Sequence, residues 1–530
     1  MNKKQLSVTL FSIICSVILL EFTSFLSYFP LSDDSYYHGA AALAVSIERR
    51  LDESIYAYYN YPITFILGNV IHELSSVDML IIAKMYSLFV SMYVALNGFL
   101  IGKYIFNDLS SAALCSLLSS VGSYYFPRWF SPFSISAILT VTIFYCLILL
   151  YMKVETRWFV ATVILVATCI LTHLGNSFFV MIFLLTLTLL LIFLGRKTDK
   201  YENLRSNAKR SQTVTFLFIS FLSLFLAWNL YVNKFQMAQF IQGTIKTIMN
   251  PPIEEVYYQF TAVYFTKTDL FSIIKRMYIL SIPIGGSFGA FIWFIGHYRL
   301  LRSKTTILTI LFIAQLIFVI LNVLDYLVRF GFPLGEGIAA RTRWLLYLMS
   351  SWWLAYLFTD VHKILGKTLR FAERIFWPLL LIFLIVSGIS VFTIVLADDS
   401  LKIVHYADFH FNLFLSHFIN LDSNLYGYMT QQNIFFYHLI SSKNIVQLNM
   451  VTSRLISMYE AVYPYKGGYL SRLLDMMNIL VTMNLNRTKS FYSSSIGEET
   501  VEKIFSPFTP EKTSIVFNNG DHSVFIKEGY

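Results

Sequence analysis

Uncharged apolar blocks of about 20 residues, the length that crosses a hydrocarbon core as a helix, recur along most of the chain. Strands of this composition would leave backbone groups unpaired in lipid, so the pattern favours helices. It predicts about eleven transmembrane helices. They lie near Leu6–Phe29, Met79–Ile101, Leu109–Phe126, Phe133–Tyr151, Phe159–Leu171, Ser177–Leu194, Thr213–Val232, Tyr278–Phe294, Thr305–Val323, Trp344–Phe358 and Ile375–Leu396.

The chain becomes far more polar after about residue 397. Its end, SIVFNNGDHSVFIKE, has two alternating runs around Asn519-Gly520, which predict a β-hairpin. The sequence therefore predicts an all-α polytopic membrane protein with a small extracytoplasmic α+β C-terminal domain. We place the transmembrane domain at residues 1–397, with a first outer loop at 30–78, and the C-terminal domain at 398–530.

Composition supports the membrane assignment. The 530 residues are 56% hydrophobic and 13% charged, whereas soluble proteins carry about 25% charged residues. The net charge of +9 does not indicate nucleic acid, because membrane proteins gather Lys and Arg in cytoplasmic loops. We expect the lipid bilayer, and no nucleic acid, among the partners.

The distribution of Lys and Arg predicts the orientation. Segments 196–210, 299–304 and 363–374 are rich in basic residues and are expected on the cytoplasmic side. The N-terminus is then cytoplasmic. An odd number of crossings places the C-terminal domain outside the cell membrane, and residues 235–249 are expected to form an amphipathic helix at the interface.

The first outer loop opens with two adjacent carboxylates, Asp33 and Asp34. Charged groups at a membrane surface are costly to desolvate, so this pair of carboxylates indicates a structural or a functional role. In one interpretation, Ser32 or Asp33 caps an interfacial helix from about Tyr36 to Arg50. In the other, the two carboxylates carry chemistry.

A resemblance favours the second interpretation. The segment DDSYYHGAAALAVSIERR, residues 33–50, resembles the first extracytoplasmic loop of the GT-C glycosyltransferase superfamily, which an acidic residue opens. The following YAYYNYPITFILGNVIHELSSVD and the apolar helices over residues 83–129 are also similar to that superfamily. The resemblance covers about residues 6–194 and, weakly, the C-terminal hairpin.

The resemblance implies transfer of a hexose or pentose from a polyprenyl-phosphate carrier, with inversion. The acceptor would be a glycan, lipid or protein on the outer face. An acceptor hydroxyl loses a proton as it attacks, so it needs a base within hydrogen-bond reach. Asp34, directly before the Ser-Tyr-Tyr-His run, matches the acidic position of the superfamily, and Asp33 is the second choice.

The sequence departs from one branch of the superfamily. Oligosaccharyltransferases in it carry a second acidic motif in the next outer loop and a WWDYG-like motif in the tail. The second outer loop here, SYYFPRWFSP, has no carboxylate, and the tail has no such motif. The four cysteines lie in apolar blocks without metal-ligand spacing. We therefore expect a single-sugar transferase that needs neither a metal nor another cofactor.

The donor phosphate needs cations near the outer face. Arg128 lies in the second outer loop, and Arg341 and Arg343 enter a helix from the outside. His38 and His173 are further candidates on that side. In the alternative interpretation, the arginines anchor helix ends and the histidines are turn residues.

Two charges, Glu21 and Lys84, lie inside apolar blocks. An unpaired charge there costs about 2–3 kcal/mol on insertion scales. Either the two side chains pair with each other, or Lys84 binds the donor phosphate.

Two other functions compete with the transferase. A transporter or flippase for a lipid-linked glycan would place charges and broken helices near the middle of the membrane. The interior blocks here are mostly uncharged, which favours the transferase. The sequence does not distinguish a non-catalytic assembly protein with the same fold.

Overall fold

The computed structural model describes the helical core of the chain and parts of its C-terminal segment. The described residues are 3–26, 30, 33–51, 57–106, 109–123, 126–153, 155–195, 201–234, 237–238, 241–242, 270–297, 308, 311–312, 314–320, 322, 338–365, 386, 389, 425–427, 437–438, 441, 455–457, 479–482, 513–518 and 523–527. The chain forms two compact units. The larger unit contains Met1–Thr23, Ser87–Arg128 and Pro132–Ser400, and the smaller unit contains Ser24–Tyr86, Trp129–Ser131 and Leu401–Tyr530.

Helices dominate the described part of the chain. They are α1 (Lys3–Leu26), α2 (Asp33–Glu48), the 3-10 helix η1 (Ala57–Asn60), α3 (Ile63–Ser75), α4 (Met79–Phe106), α5 (Leu109–Gly122), α6 (Pro132–Lys153), α7 (Thr156–Ile170), α8 (Leu174–Gly195), α9 (Tyr201–Tyr231), α10 (Leu270–His297) and α11 (Ile338–Leu365). Helices α1 and α4 to α11 coincide with predicted apolar blocks.

Three described helices are long and apolar enough to cross a membrane, and the chain is a membrane protein. They are Met79–Tyr104, Pro132–Leu150 and Ser211–Tyr231. Five shorter apolar helices accompany them in the described residues. The block Thr305–Val323 is described only in part, as a helix over 314–320, and Ile375–Leu396 lies almost wholly outside the described residues. The count of about eleven crossings therefore stays a prediction, as does the amphipathic helix at 235–249.

Small residues bring the helices of the larger unit close together. A Cβ atom added at Gly286 of α10 would lie 2.5 Å from the Cα atom of Ser350 in α11. Gly122 of α5 is packed against Ser351 in the same way. Gln315 donates a hydrogen bond of 2.7 Å to the Ser350 hydroxyl. Close approach of small residues, with occasional polar pairs, is the usual basis of helix packing in lipid.

The smaller unit contains α2, η1, α3, the start of α4 and a five-stranded sheet. The strands are β1 (Leu425–Gly427), β2 (Leu455–Ser457), β3 (Ile479–Thr482), β4 (Thr513–Asn518) and β5 (Ser523–Lys527), in the order β2-β1-β3-β5-β4. β1 runs parallel to β2 and β3, and β5 runs antiparallel to β3 and β4.

The hairpin predicted from Asn519-Gly520 is confirmed by the pairing of β4 with β5. Its register places Ile515 opposite Phe525, with an irregularity between Ile515 and Phe517. The wider prediction of a C-terminal α+β domain falls mostly on residues outside the described part and stays a prediction.

Candidate functional site

Asp33 and Asp34 lie in the first turn of α2. The helix begins at Asp33, so the predicted start near Tyr36 is wrong, as is the alternative in which Asp33, rather than Ser32, is the preceding cap. Negative side chains in a first helical turn interact favourably with the helix dipole, which explains the earlier start. The Asp34 side chain is half-buried. Ser32 and the side chain of Asp33 lie outside the described part.

Two buried hydrogen bonds fix the backbone next to Asp34. The Ser35 hydroxyl accepts a hydrogen bond of 3.3 Å from the backbone N–H of Phe130. The Tyr36 hydroxyl donates one of 3.1 Å to the Pro30 carbonyl. Both Ser35 and Tyr36 are buried. Asp34 therefore stands on a helical turn that buried hydrogen bonds hold in place.

The rest of α2 packs tightly against η1 and α3. Ala40, Ala41 and Ala42 are fully buried, and the Tyr59 hydroxyl donates a 2.7 Å hydrogen bond to the Ala41 carbonyl. A Cβ atom added at Gly68 of α3 would lie 3.1 Å from that of Ala42. Small side chains on both helices allow this approach. The packing fixes the orientation of α2 within the smaller unit.

His38 is a buried ring on the packed side of α2. Its ring lies 5.8 Å from that of Tyr58 and 5.9 Å from that of Phe65. Burial lowers the pKa of His38 from 6.5 to about 3. The imidazole is therefore neutral at pH 7 and supplies no positive charge for a phosphate.

We expect His38 to make the protein acid-sensitive. In the unfolded chain it gains a proton near pH 6.5, whereas the folded chain keeps it neutral down to about pH 3. Its contribution to stability is fully present above the unfolded pKa of about 6.5 and is lost progressively as the pH drops from there towards 3. Unfolding in detergent at pH 5 and 7.5 measures this loss, and His38→Gln should reduce it. An equal loss of stability in the unmodified chain and in His38→Gln would show that His38 is not the source of the acid sensitivity.

A contact with the C-terminal segment, which the sequence did not reveal, stabilises the connection between α3 and α4. The Tyr437 hydroxyl donates to both carboxylate oxygens of Asp78, at 3.2 Å each. Asp78 also accepts the backbone N–H of Leu80 at 2.8 Å and so caps α4. Burial, then the Asp78 charge, raises the pKa of Tyr437, which remains a donor at neutral pH. No local sequence signal links residues so far apart.

Lys84 lies in the second turn of α4, in the same unit as Asp34, and its side chain is half-buried. The predicted alternatives for it were pairing with Glu21 or binding of the donor phosphate. The pairing of Lys84 with Glu21 is wrong, because Glu21 forms its ion pair with Arg128.

Glu21 pairs with Arg128 in the larger unit. The Glu21 carboxylate lies 3.4 Å from Nη1 of Arg128 and accepts a 2.6 Å hydrogen bond from the Ser91 hydroxyl. Arg128 also donates to the Leu20 carbonyl. Glu21 is only 2% exposed, so its charge is neutralised inside the protein. Much of the positive charge of Arg128 is therefore already compensated.

His173 occupies the turn before α8 in the larger unit. Its Nδ1 accepts the backbone N–H of Asn176 at 3.4 Å, and its ring lies 5.3 Å from Phe133. This is the turn-residue arrangement that the sequence left as the alternative. Arg341 and Arg343 lie in the first turns of α11, where Arg343 is half-buried and the Arg341 side chain is not described.

The predicted site residues thus fall into two groups. Asp33, Asp34, His38 and Lys84 belong to the smaller unit, whereas Arg128, His173, Arg341 and Arg343 belong to the larger one. Within the described residues, no three His, Cys, Asp or Glu side chains cluster in a way that would hold a metal ion.

Comparison with solved structures identifies the class of fold. The oligosaccharyltransferase of Archaeoglobus fulgidus in the apo form is similar at a TM-score of 0.53 and 12% identity, over 99% of this chain and 74% of the archaeal one. The same enzyme tethered to an acceptor peptide with the NVT sequon gives 0.51 and 11%, with the same coverage. ArnT from Cupriavidus metallidurans, in the apo state, is 11% identical over 98% of this chain and 97% of its own, but its TM-score of 0.39 supports no argument.

No protein-family model matches the sequence, and no curated protein does. At 11–12% identity, the structural similarity shows the fold alone. The similarity of fold expected from the sequence is confirmed: the chain is a membrane protein whose fold is similar to that of the archaeal oligosaccharyltransferase.

Proposed function

We propose that the chain is a membrane glycosyltransferase that transfers one sugar from a polyprenyl-phosphate carrier to an extracytoplasmic acceptor. The observation that carries the proposal is the position of Asp34. In a chain with this fold, a half-buried carboxylate stands in the first turn of α2, where buried hydrogen bonds of the next two residues fix the helix. A fixed carboxylate beside a lipid surface suits a reaction between a lipid-borne donor and a hydroxyl from water.

Asp34 acts as the general base in this proposal. The acceptor hydroxyl gives its proton to the Asp34 carboxylate while its oxygen attacks the anomeric carbon from the side opposite the phosphate. The bond from the anomeric carbon to the phosphate oxygen breaks, and its electron pair leaves with the polyprenyl phosphate. The product is inverted at the anomeric carbon, and the step needs no metal.

We infer that Lys84, a cation in the same compact unit as Asp34, binds the donor phosphate. An ammonium group is a suitable point charge for a phosphate. His38 is neutral and packed among aromatic rings, so we assign it to the support of α2. The role of Arg128 is to form the ion pair with Glu21. Arg341, Arg343 and His173 remain predicted contributors, and Asp33 remains the second choice for the base.

The test is a transfer assay with the purified chain in proteoliposomes. A polyprenyl phosphate that bears one radiolabelled sugar serves as donor, with soluble glycan, lipid and peptide acceptors offered in parallel. We expect label to appear on an acceptor while free polyprenyl phosphate accumulates. Passage of the intact donor to the other leaflet, without loss of its sugar, would instead support the flippase.

A further inference from the structure

Helix α3 carries a stripe of apolar side chains that face away from the smaller unit. Ile66, Leu67, Val70 and Ile71 are 39–44% exposed, and Leu74 is 83% exposed. At about 100° per residue, these five positions fall within about 140° of the helix circumference. The stripe is therefore one continuous face.

The other side of α3 is already occupied. Thr64 and Phe65 are fully buried, and Gly68 is in close contact with its neighbours in the smaller unit. At the edge of the stripe, the exposed Glu73 carboxylate accepts a hydrogen bond from the Ser46 hydroxyl of α2. The exposed stripe is thus the one side of the helix that these contacts leave uncovered.

Contacts in the smaller unit place α3 at the end of a membrane span. A Cβ atom added at Gly68 would lie 3.0 Å from Cε of Met79, the first residue of the span Met79–Tyr104. Those 26 residues make a helix of about 39 Å, longer than a hydrocarbon core of about 30 Å. Met79 therefore lies near the boundary between hydrocarbon and headgroups. Helix α3, at about 20 Å, is too short to span the membrane itself.

The start of α4 indicates what covers the stripe. Ile81, Met85, Phe89 and Met92 are all more than half exposed and recur at the spacing of one helix face. In a membrane-spanning helix, such a face contacts lipid. The apolar stripe of α3 precedes it in the chain, with only Ser76, Val77 and Asp78 between the two helices.

We propose that α3 lies in the membrane interface with this stripe inserted among the acyl chains of the adjacent leaflet. The partner is bilayer lipid, and the inserted residues are Ile66, Leu67, Val70, Ile71 and Leu74. Because α3 packs directly against α2, the insertion also sets the depth of the helix that carries Asp34. The inference does not depend on the proposed reaction.

Fluorescence quenching in nanodiscs tests the insertion. An environment-sensitive fluorophore is attached to Leu74→Cys or, separately, to Ser75→Cys, the next residue, which is also exposed but outside the stripe. We expect lipids with a quencher on the acyl chain to quench the fluorophore at position 74 several-fold more than at 75. Aqueous iodide should show the opposite order. Val70→Cys provides a second stripe position if Leu74→Cys fails to fold.

Two outcomes would overturn the inference. Stronger iodide than lipid quenching at positions 74 and 70 would place the stripe in water. Protection from both quenchers would mean that protein, such as a second copy of the chain, covers it. Both readouts are independent of sugar transfer, so their failure is distinguishable from failure of the proposed function.

Discussion

Asp34→Asn is expected to lower the rate of sugar transfer by about 10²–10⁴-fold, the usual contribution of a general base. Asparagine keeps the shape of the side chain but cannot accept the proton of the acceptor hydroxyl. The loss should appear in kcat, whereas binding of the donor should change little because the carboxylate does not contact the phosphate in the proposed step. Transfer rates at saturating donor, together with donor binding by the same protein, measure both effects.

The variant should remain folded. Replacing one carboxylate in the first turn of a helix removes about 0.3–1 kcal/mol of interaction with the helix dipole, which the packing of α2 on α3 can absorb. Glu48→Gln is the matched control, because Glu48 is another half-buried carboxylate at the other end of the same helix. We expect that control to transfer sugar at close to the normal rate. An Asp34→Asn protein that retained more than a small fraction of activity would remove Asp34 as the base and leave Asp33 as the next residue to test.

Breaking the Glu21–Arg128 ion pair should cause a large loss of stability. Removing one partner of a buried ion pair leaves the other charge uncompensated, at a cost of about 3–5 kcal/mol. Arg128→Met leaves the Glu21 carboxylate, 2% exposed, with the Ser91 hydroxyl as its remaining described partner. Glu21→Gln removes the carboxylate that compensates the buried charge of Arg128. The midpoint of unfolding in detergent is the measurement for each variant.

The double variant Glu21→Gln/Arg128→Met should recover most of the lost stability, because neither buried charge remains. The exposed pair of Glu155 and Arg157 is the control. Arg157→Gln should change stability by about 0–1 kcal/mol, as is usual for surface pairs. If Lys84→Met, rather than Arg128→Met, were rescued by Glu21→Gln, the partner originally predicted from the sequence would be the correct one.

The membrane helices were predictable because their signal is local. A run of about 20 apolar residues has few alternatives in lipid, and blocks such as Met79–Ile101 and Phe133–Tyr151 correspond to α4 and α6. The C-terminal hairpin was predictable for a similar reason, since Asn519-Gly520 specifies a tight turn. The predicted start of α2 near Tyr36 came three residues too late, because Asp33, considered there as a possible cap, is itself the first residue of the helix.

Helix α3 and the tertiary contacts were harder to predict from the sequence. The segment that forms α3 follows a tyrosine-rich stretch and Pro62, and its 13 residues fall short of a membrane span. Glu21 and Arg128, like Asp78 and Tyr437, lie far apart in the chain. Periodicity indicates which face of a helix is apolar, but it does not identify the partner of a charge across such distances. The position of Glu21 inside an apolar block predicts that it needs a partner, and the structure shows that this partner is Arg128.

The fold also changes the interpretation of the candidate cations. From the sequence, Arg128, His38 and Lys84 are all candidates for binding the donor. Burial makes His38 neutral, and the ion pair engages Arg128. Lys84 is then the cation that we assign to the phosphate, because it shares a compact unit with Asp34. This distinction depends on tertiary contacts that no single stretch of sequence contains.

The central claim is that Asp34 meets its substrates on the extracytoplasmic face, and labelling from one side of the membrane tests it most directly. Arg50→Cys probes the exposed end of the α2 region, and Lys103→Cys probes the exposed last turn of α4. In intact cells, an impermeant thiol reagent should label Arg50→Cys at once and Lys103→Cys only after the membrane is opened. Labelling of Lys103→Cys from outside, with Arg50→Cys protected until the membrane is opened, would place Asp34 on the cytoplasmic side and contradict the account.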